Sequence, residues 1–236
     1  MFNSMNNSNK ATNDISLNQR TYERLKREIM TFTLMPGEPI SAAKIAERYQ
    51  VSRTPAREAI VKLETEGLID IYPQSKSVVS KVDIKRANQE WFVRRSLELG
   101  MVDALFDNIT QDAIDEMKYY ANQLSEVGKN RSTAEESYEY LRYDNLFHMV
   151  TYKVAKQDLA SEIISNMMVH YNRIRLLNDL DDNNKNRTLA DHASLIECVE
   201  NNDREGYRAY LIRHLGHIIS DIEIMGKIKP ELFENK

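Results

Sequence analysis

The sequence predicts a mainly α protein in two parts: three helices with a β-hairpin, then an all-helical bundle of about six helices. Three observations carry that reading. Glycine (7) and proline (5) are scarce among 236 residues, too few for a turn-rich sandwich or barrel. Long stretches drawn from Glu, Leu, Lys, Arg, Ala and Met favour helix. Two short β-prone stretches, Leu68–Tyr72 and Val78–Val82, flank the polar run Pro73-Gln74-Ser75-Lys76-Ser77.

The first part spans residues 18–82. Tyr22, Leu25 and Ile29 recur at helical spacing, and the turn signal Met35-Pro36-Gly37 follows them. Ser41 suits the N-cap of a second short helix carrying Ile45, Ala46 and Tyr49. Ser52 suits the cap of a third, with Pro55 tolerated in its first turn. Gly67 stands where a left-handed C-terminal cap belongs. Three helices and a hairpin, in that order, make a winged helix, whose third helix is the one to enter a major groove. On that helix Ala56, Ala59, Ile60 and Leu63 share an apolar arc, with Arg53, Thr54 and Arg57 on the exposed flank. Arginines one turn apart can fork to guanine edges or clamp phosphates. They can equally form a solvated face paired to Glu58 and Glu64, and spacing does not choose between the two.

Composition sets the outer bounds. Hydrophobic residues are 42% and charged residues 29%, an ordinary globular balance. The net charge is −4, unevenly spread. Residues 20–82 hold 11 Lys/Arg against 8 Asp/Glu, and residues 83–236 hold 20 against 27. A mildly basic head on an acidic body permits an approach to phosphates. The single cysteine, Cys198, excludes an intrachain disulfide framework and fits a reducing cytoplasm. No apolar run reaches the ~18 residues of a membrane span. Residues 1–17, rich in Asn and Ser, are expected to be a disordered tail.

The body, residues 83–230, reads as amphipathic helices over Ile84–Phe106, Gln111–Val127, Ala134–Ala155, Leu159–Leu177, Asn186–Asn201 and Arg204–Met225. Polar residues fall on faces that should point inward. Asp144 and His148 share an arc with Leu141, Tyr152 and Ala155. His192 shares one with Leu189, Ile196 and Val199, and His214 one with Tyr207, Leu211 and Ile218. A buried carboxylate costs several kcal/mol unless paired or bound to a cation. One shared metal ion would satisfy all four, and such donors suit Zn, Ni, Mn or Fe. The alternative is a set of separate, hydrogen-bonded core histidines. His170, mid-stripe, is not counted as a ligand, and His217 is expected to be exposed or to sit behind a ligand.

The stretch PGEPISAAKIAERYQVSRTPAREAIVKLETEGLIDIYPQSKSVV resembles the DNA-binding domain of GntR-type regulators, most specifically in VSRTPAREAIVKLETEGLI. The resemblance implies DNA contacts by Arg53, Thr54 and Arg57, and Lys76 on the wing can still touch phosphate. Two departures stand out: Ala43 where the family often has arginine, and Lys76 where it has a wing-tip glycine. The body resembles the all-helical FCD sensor domain of the FadR branch, through Asp144-x-x-x-His148 followed by His192 and His214. Here Asp191-His192 replaces the family's usual Glu-His, and the helix count points to the VanR-like subgroup. The segment Arg94-x-x-Leu97-Glu98 matches the first long helix of that domain, where an arginine can form a bidentate pair with an effector carboxylate or a salt bridge to a neighbouring helix.

The resemblance therefore implies a non-enzymatic, cytoplasmic homodimer that binds a double-stranded DNA operator. A small carboxylate effector at a divalent transition-metal site would control its affinity. Two other readings stay open: a metal-dependent hydrolase body with a DNA-binding appendage, and a metal-free sensor of an acyl or apolar ligand. No HExxH or nucleophile motif supports the first.

Overall fold

A computed structural model describes residues 16–129, 133–178 and 182–234. Most of the segment expected to be a disordered tail, residues 1–15, lies outside the described residues. The head contains α1 (Leu17–Met30), β1 (Pro39–Ile40), α2 (Ala42–Tyr49), α3 (Arg53–Thr65), β2 (Ile69–Tyr72) and β3 (Lys76–Val79). Capping follows local chemistry. Ser41 Oγ accepts from Lys44 N at 3.2 Å and opens α2. Ser52 occupies the N-cap of α3 without a side-chain hydrogen bond. Gly67, at φ +80°, turns the chain out of α3, where any other residue would be strained.

The hairpin is part of a three-stranded antiparallel sheet of order β1-β3-β2. The two-residue β1 was not expected, because it is a strand only through pairing Pro39 with Val78 and Ile40 with Ser77. Tyr72 pairs with Lys76, so the left-handed tip residue is Gln74 (φ +57°). Lys76 stands at the start of the returning strand.

The body comprises α4 (Ile84–Gly100), α5 (Val102–Asn108), α6 (Gln111–Lys129), α7 (Ala134–Val154), α8 (Asp158–Met167), α9 (Val169–Asn178), α10 (Asp182–Glu200) and α11 (Arg204–Ile228). Pro230–Leu232 then forms a single 3₁₀ turn. The expected helices 84–106 and 159–177 are therefore each two. The first breaks at Gly100-Met101, where glycine weakens the helix. The second breaks at Met168 (ψ +43°), which no glycine or proline marks. That break rotates the apolar stripe: Met167 is exposed while Met168, Val169 and His170 are buried.

The two parts share apolar core. Leu25, Ile29, Ile60, Leu63 and Ile69 of the head pack in one cluster with Leu141, Val169 and Leu176 of the body. The linker is clamped as well: Val82 N donates to Leu232 O (2.9 Å) and Glu234 N donates to Val82 O (3.1 Å). No described helix is long and apolar enough to cross a membrane.

Candidate functional site

On α3, Arg53, Thr54 and Arg57 are exposed, while Pro55, Ala56, Ala59, Ile60 and Leu63 are buried against the head core. Among the described residues no ion pair joins Arg53 or Arg57 to a carboxylate. Glu58 instead accepts from Asn18 Nδ2 at 2.6 Å. The self-paired alternative for these arginines thus finds no support. Thr54, Arg57, Val61 and Lys62 line a shallow outward groove along the helix. Lys76 is exposed on the wing, its Nζ 5.8 Å from the Tyr72 ring centre.

The second assembly is buried. A capping box at Thr133 and Glu136 sets the start of α7, on which Asp144 and His148 lie one turn apart facing inward. His192 arrives from α10 and His214 from α11. One donor atom from each of the four lies within 4.8 Å of the others. His148 Nε2 and His214 Nε2 are 3.0 Å apart, and His192 Nε2 is 3.3 Å from Asp144 Oδ1. The Phe147 ring stacks on His192 at 4.0 Å. His170 is elsewhere: its Nδ1 accepts from Asp83 N at 3.1 Å, at the start of α4.

Carboxylates stand behind the imidazoles. Glu98 Oε2 is 2.8 Å from His148 Nδ1. Burial would raise the Glu98 carboxyl, but His148 and Arg94 outweigh it and hold it at about 2. An ionised Glu98 only accepts, so His148 Nδ1 must donate. Asp191 Oδ2 lies 3.5 Å from His214 Nδ1 and 2.8 Å from His217 Nε2. Burial works against Asp191 too, yet His214, Arg213 and His217 keep it well below the usual carboxylate range. His217 is thus a neighbour of the cluster, held by the carboxylate that faces His214.

These contacts test whether a cation fits. With His148 Nδ1 donating to Glu98 and His214 Nδ1–H turned toward Asp191, two Nε2 lone pairs face each other at 3.0 Å. The fully buried His192 makes no well-aligned hydrogen bond, its Nε2 only approaching Asp144 Oδ1 at 3.3 Å, and His214 Nδ1 meets Asp191 only at 3.5 Å. Desolvation keeps these rings neutral, pushing His214 down to about 3 and lowering His192. Three imidazoles and an ionised carboxylate, converging and under-satisfied, form a donor set that a divalent transition metal fits.

Cations occupy the remaining side. Arg94, on α4, is 3% exposed and donates from Nε to Glu98 Oε1 at 2.7 Å. Its Nη2 is 3.9 Å from Asp144 Oδ2, and its Nη1 donates to Tyr171 OH at 3.5 Å. Of the two roles open to Arg94, the structure shows a salt bridge: the short one is within α4, to Glu98, and the longer one reaches the neighbouring α7 at Asp144. Arg175 of α9 pairs directly with Asp144 Oδ2 and donates to Asn145 Oδ1 at 2.8 Å. Burial would raise Asp144, but Arg175, then His192 and His148, hold it well below its ordinary value. Sequence reasoning assigned no role to Glu98, Asp191 or Arg175. Arg94 and Glu98, four apart on one helix, were the available signal for the first. Arg175 had none beyond being a charge in an apolar run.

Two family models match the chain, one over each part. The model of "Bacterial regulatory proteins, gntR family" matches residues 17–79, and that of the FCD domain matches residues 91–217. The transcriptional repressor RspR of Escherichia coli is 26% identical over 93% of this chain and 95% of its own. A regulator from an unstable DNA locus of Streptomyces ambofaciens is 28% identical over 94% and 92%. Among solved structures, Escherichia coli McbR/YncC superposes with a TM-score of 0.73 at 21% identity, covering 89% of this chain and 99% of its own. A GntR-type regulator from Rhodococcus sp. RHA1 gives 0.72 at 18% identity, covering 89% and 97%.

Proposed function

Because the chain belongs to the GntR family of bacterial DNA-binding transcriptional regulators and carries an FCD domain, we propose that a small carboxylate, bound beside a divalent metal in the α4–α11 body, sets its operator affinity. The observation that carries this is the pair of His Nε2 atoms at 3.0 Å, next to the Asp144 carboxylate and a fully buried His192 that makes no well-aligned hydrogen bond. Asp144, His148, His192 and His214 would hold the ion, which supplies a Lewis-acidic positive charge when bound. Glu98 and Asp191 orient the imidazoles from behind.

Charge argues for the effector class. Asp144, Glu98 and Asp191 are matched by Arg94, Arg175 and Arg213. A divalent cation adds two positive charges to that set, which a carboxylate offsets in part. Arg94 and Arg175 stand beside Asp144 to receive it. An acyl or apolar ligand finds no such match. In the head, Arg53, Thr54 and Arg57 read or clamp the duplex and Lys76 contacts phosphate. One short helix reaches few base pairs, so a cytoplasmic homodimer reading successive major grooves completes the scheme.

The test is metal analysis of protein purified without an affinity tag, then thermal shift with a panel of mono- and dicarboxylates with and without chelator. About one ion per chain is expected, lost in the double variant His148→Ala, His214→Ala, with carboxylate shifts that need the ion. Metal-free protein whose stability ignores chelators would leave the apolar-ligand sensor in place.

A further inference from the structure

The helix that delivers Arg175 to Asp144 delivers another arginine in the opposite direction. Arg173 is fully buried, the largest such side chain among the described residues. Its Nη1 donates to Ser80 O at 2.9 Å and to Ser80 Oγ at 3.3 Å. Ser80 Oγ in turn donates to Gly67 O at 2.6 Å, and Ser80 N donates to Leu68 O at 3.0 Å. Gly67 is the left-handed residue that ends α3, the helix bearing Arg53 and Arg57. On the same side of α9, His170 Nε2 lies 3.5 Å from the position a Gly67 Cβ would take. His170 Nδ1 takes the amide proton of Asp83, the N-cap of α4. A single ten-residue helix therefore touches the buried cluster through Arg175 and the end of α3 through Arg173 and His170.

Arg173 is a poor choice for mere packing. Its Nε and Nη2 have no hydrogen-bond partner, and leaving guanidinium nitrogens unpaired in the interior is costly. Asp70 on β2 is the carboxylate whose charge it feels, yet no ion pair between them forms in this arrangement. A guanidinium held by one nitrogen, with two idle and an acid nearby, has a second arrangement within reach. Such two-state elements are what allosteric coupling requires.

We propose that Arg173 is the positioning residue through which α9 ties occupancy of the buried cluster to the setting of α3, along Arg175, Arg173, Ser80 and Gly67. The inference rests on the effector reading above for its trigger, though not for its geometry. A metal or carboxylate that draws Arg175 away from Asp144 shifts α9, and Arg173 carries the shift to the Ser80–Gly67 contact.

Hydrogen exchange on the full-length protein tests the link. The amides of Gly67 and Leu68, which close the end of α3 by donating to Glu64 O and Leu63 O, are the reporters. Two triggers are applied: Zn2+ alone, with loading measured separately, and Arg175→Gln in metal-free protein. Each is expected to change reporter exchange at least about fivefold in the parent. In Ser80→Ala, a mild change, and in Arg173→Met the response falls below about twofold while zinc still loads. Equal responses in parent and Ser80→Ala would overturn the link, as would Arg175→Gln leaving the reporters unmoved in folded protein. If zinc fails to load but Arg175→Gln still moves them through Ser80, the link stands and the metal reading falls.

Discussion

Arg53 and Arg57 stand in solvent on α3 with no carboxylate partner among the described residues, whereas Arg94, Arg173 and Arg175 are sunk among the body helices. The difference separates two kinds of recognition. An exposed, unpaired guanidinium costs the fold nothing and is available to an outside polyanion, such as the phosphates and guanine edges of a duplex. A buried guanidinium needs an internal counter-charge, so its recognition is an exchange of partners within a fixed charge balance. Stability and function should therefore part company in the head and be inseparable in the body.

The largest effect should come from cutting the balance in the body. Asp144→Ala strands Arg175 and removes a neighbour of Arg94, and is expected to destabilise the protein by about 3–5 kcal/mol in urea unfolding. A loss under ~1 kcal/mol would mean the arginines find other partners, and the contrast with the head would fail. Arg57→Ala is the matching change in the head. Stability should move by no more than ~0.5 kcal/mol. DNA affinity should fall by about 1–3 kcal/mol, measured by titration against a duplex selected by the parent protein. If the loss is uniform across sequences and the salt slope drops by ~1, the contact is to phosphate; if specificity relaxes, it is to a base.

The same contrast governs what was legible in the sequence. The elements of the head are signalled locally: Ser41 caps α2, Gly67 ends α3, and Pro73–Ser77 marks the wing. Two details escaped. One is β1, since two residues become a strand by tertiary pairing alone. The other is the start of β3 at Lys76, inside the run expected to be turn, because pairing with Tyr72 and Ile71 draws Lys76 and Ser77 into the sheet. In the body, Asp144 with His148, His192 and His214 could be read as inward-facing polar positions because each shares an arc with apolar residues of its own helix. Glu98, Asp191 and Arg175 could not be given roles, because each is defined by a partner on another helix. The break at Met168, which sets the phase of α9 and so the directions of Arg173 and Arg175, carries no local mark.

Acid should sharpen the contrast at the junction between the two parts. Burial first, then the Arg173 charge, pushes His170 from 6.5 down to about 4, and the Asp83 amide needs its neutral Nδ1 as acceptor. Asp83 raises the value slightly and Arg86 lowers it. Between pH 6.5 and about 4 the unfolded chain therefore binds a proton that the folded chain refuses. Stability from this residue is intact above that window and lost as pH falls through it. From pH 7 to pH 5 the loss should be on the order of 1–2 kcal/mol. In His170→Gln the urea midpoint should fall less steeply over that range. A variant with an unchanged slope would show that other buried groups carry the acid response.

The smallest effect should lie where the two kinds of arginine meet. Arg27 of α1 reaches Glu135 (3.2 Å) and Glu139 (3.3 Å) of α7 across the surface between head and body, and all three side chains are substantially solvated. Exposed pairs of this kind contribute about 0–1 kcal/mol and weaken with salt. The docking of head on body should rest on the shared apolar core of Leu25, Ile29, Leu141 and Val169. Arg27→Ala should therefore shift the urea midpoint by no more than the equivalent of ~1 kcal/mol, and the shift should vanish in ~0.5 M salt. A larger, salt-independent loss would place Arg27 with the buried arginines, as a fixed member of the interdomain charge balance, and would extend the coupling surface from α9 to α1 and α7.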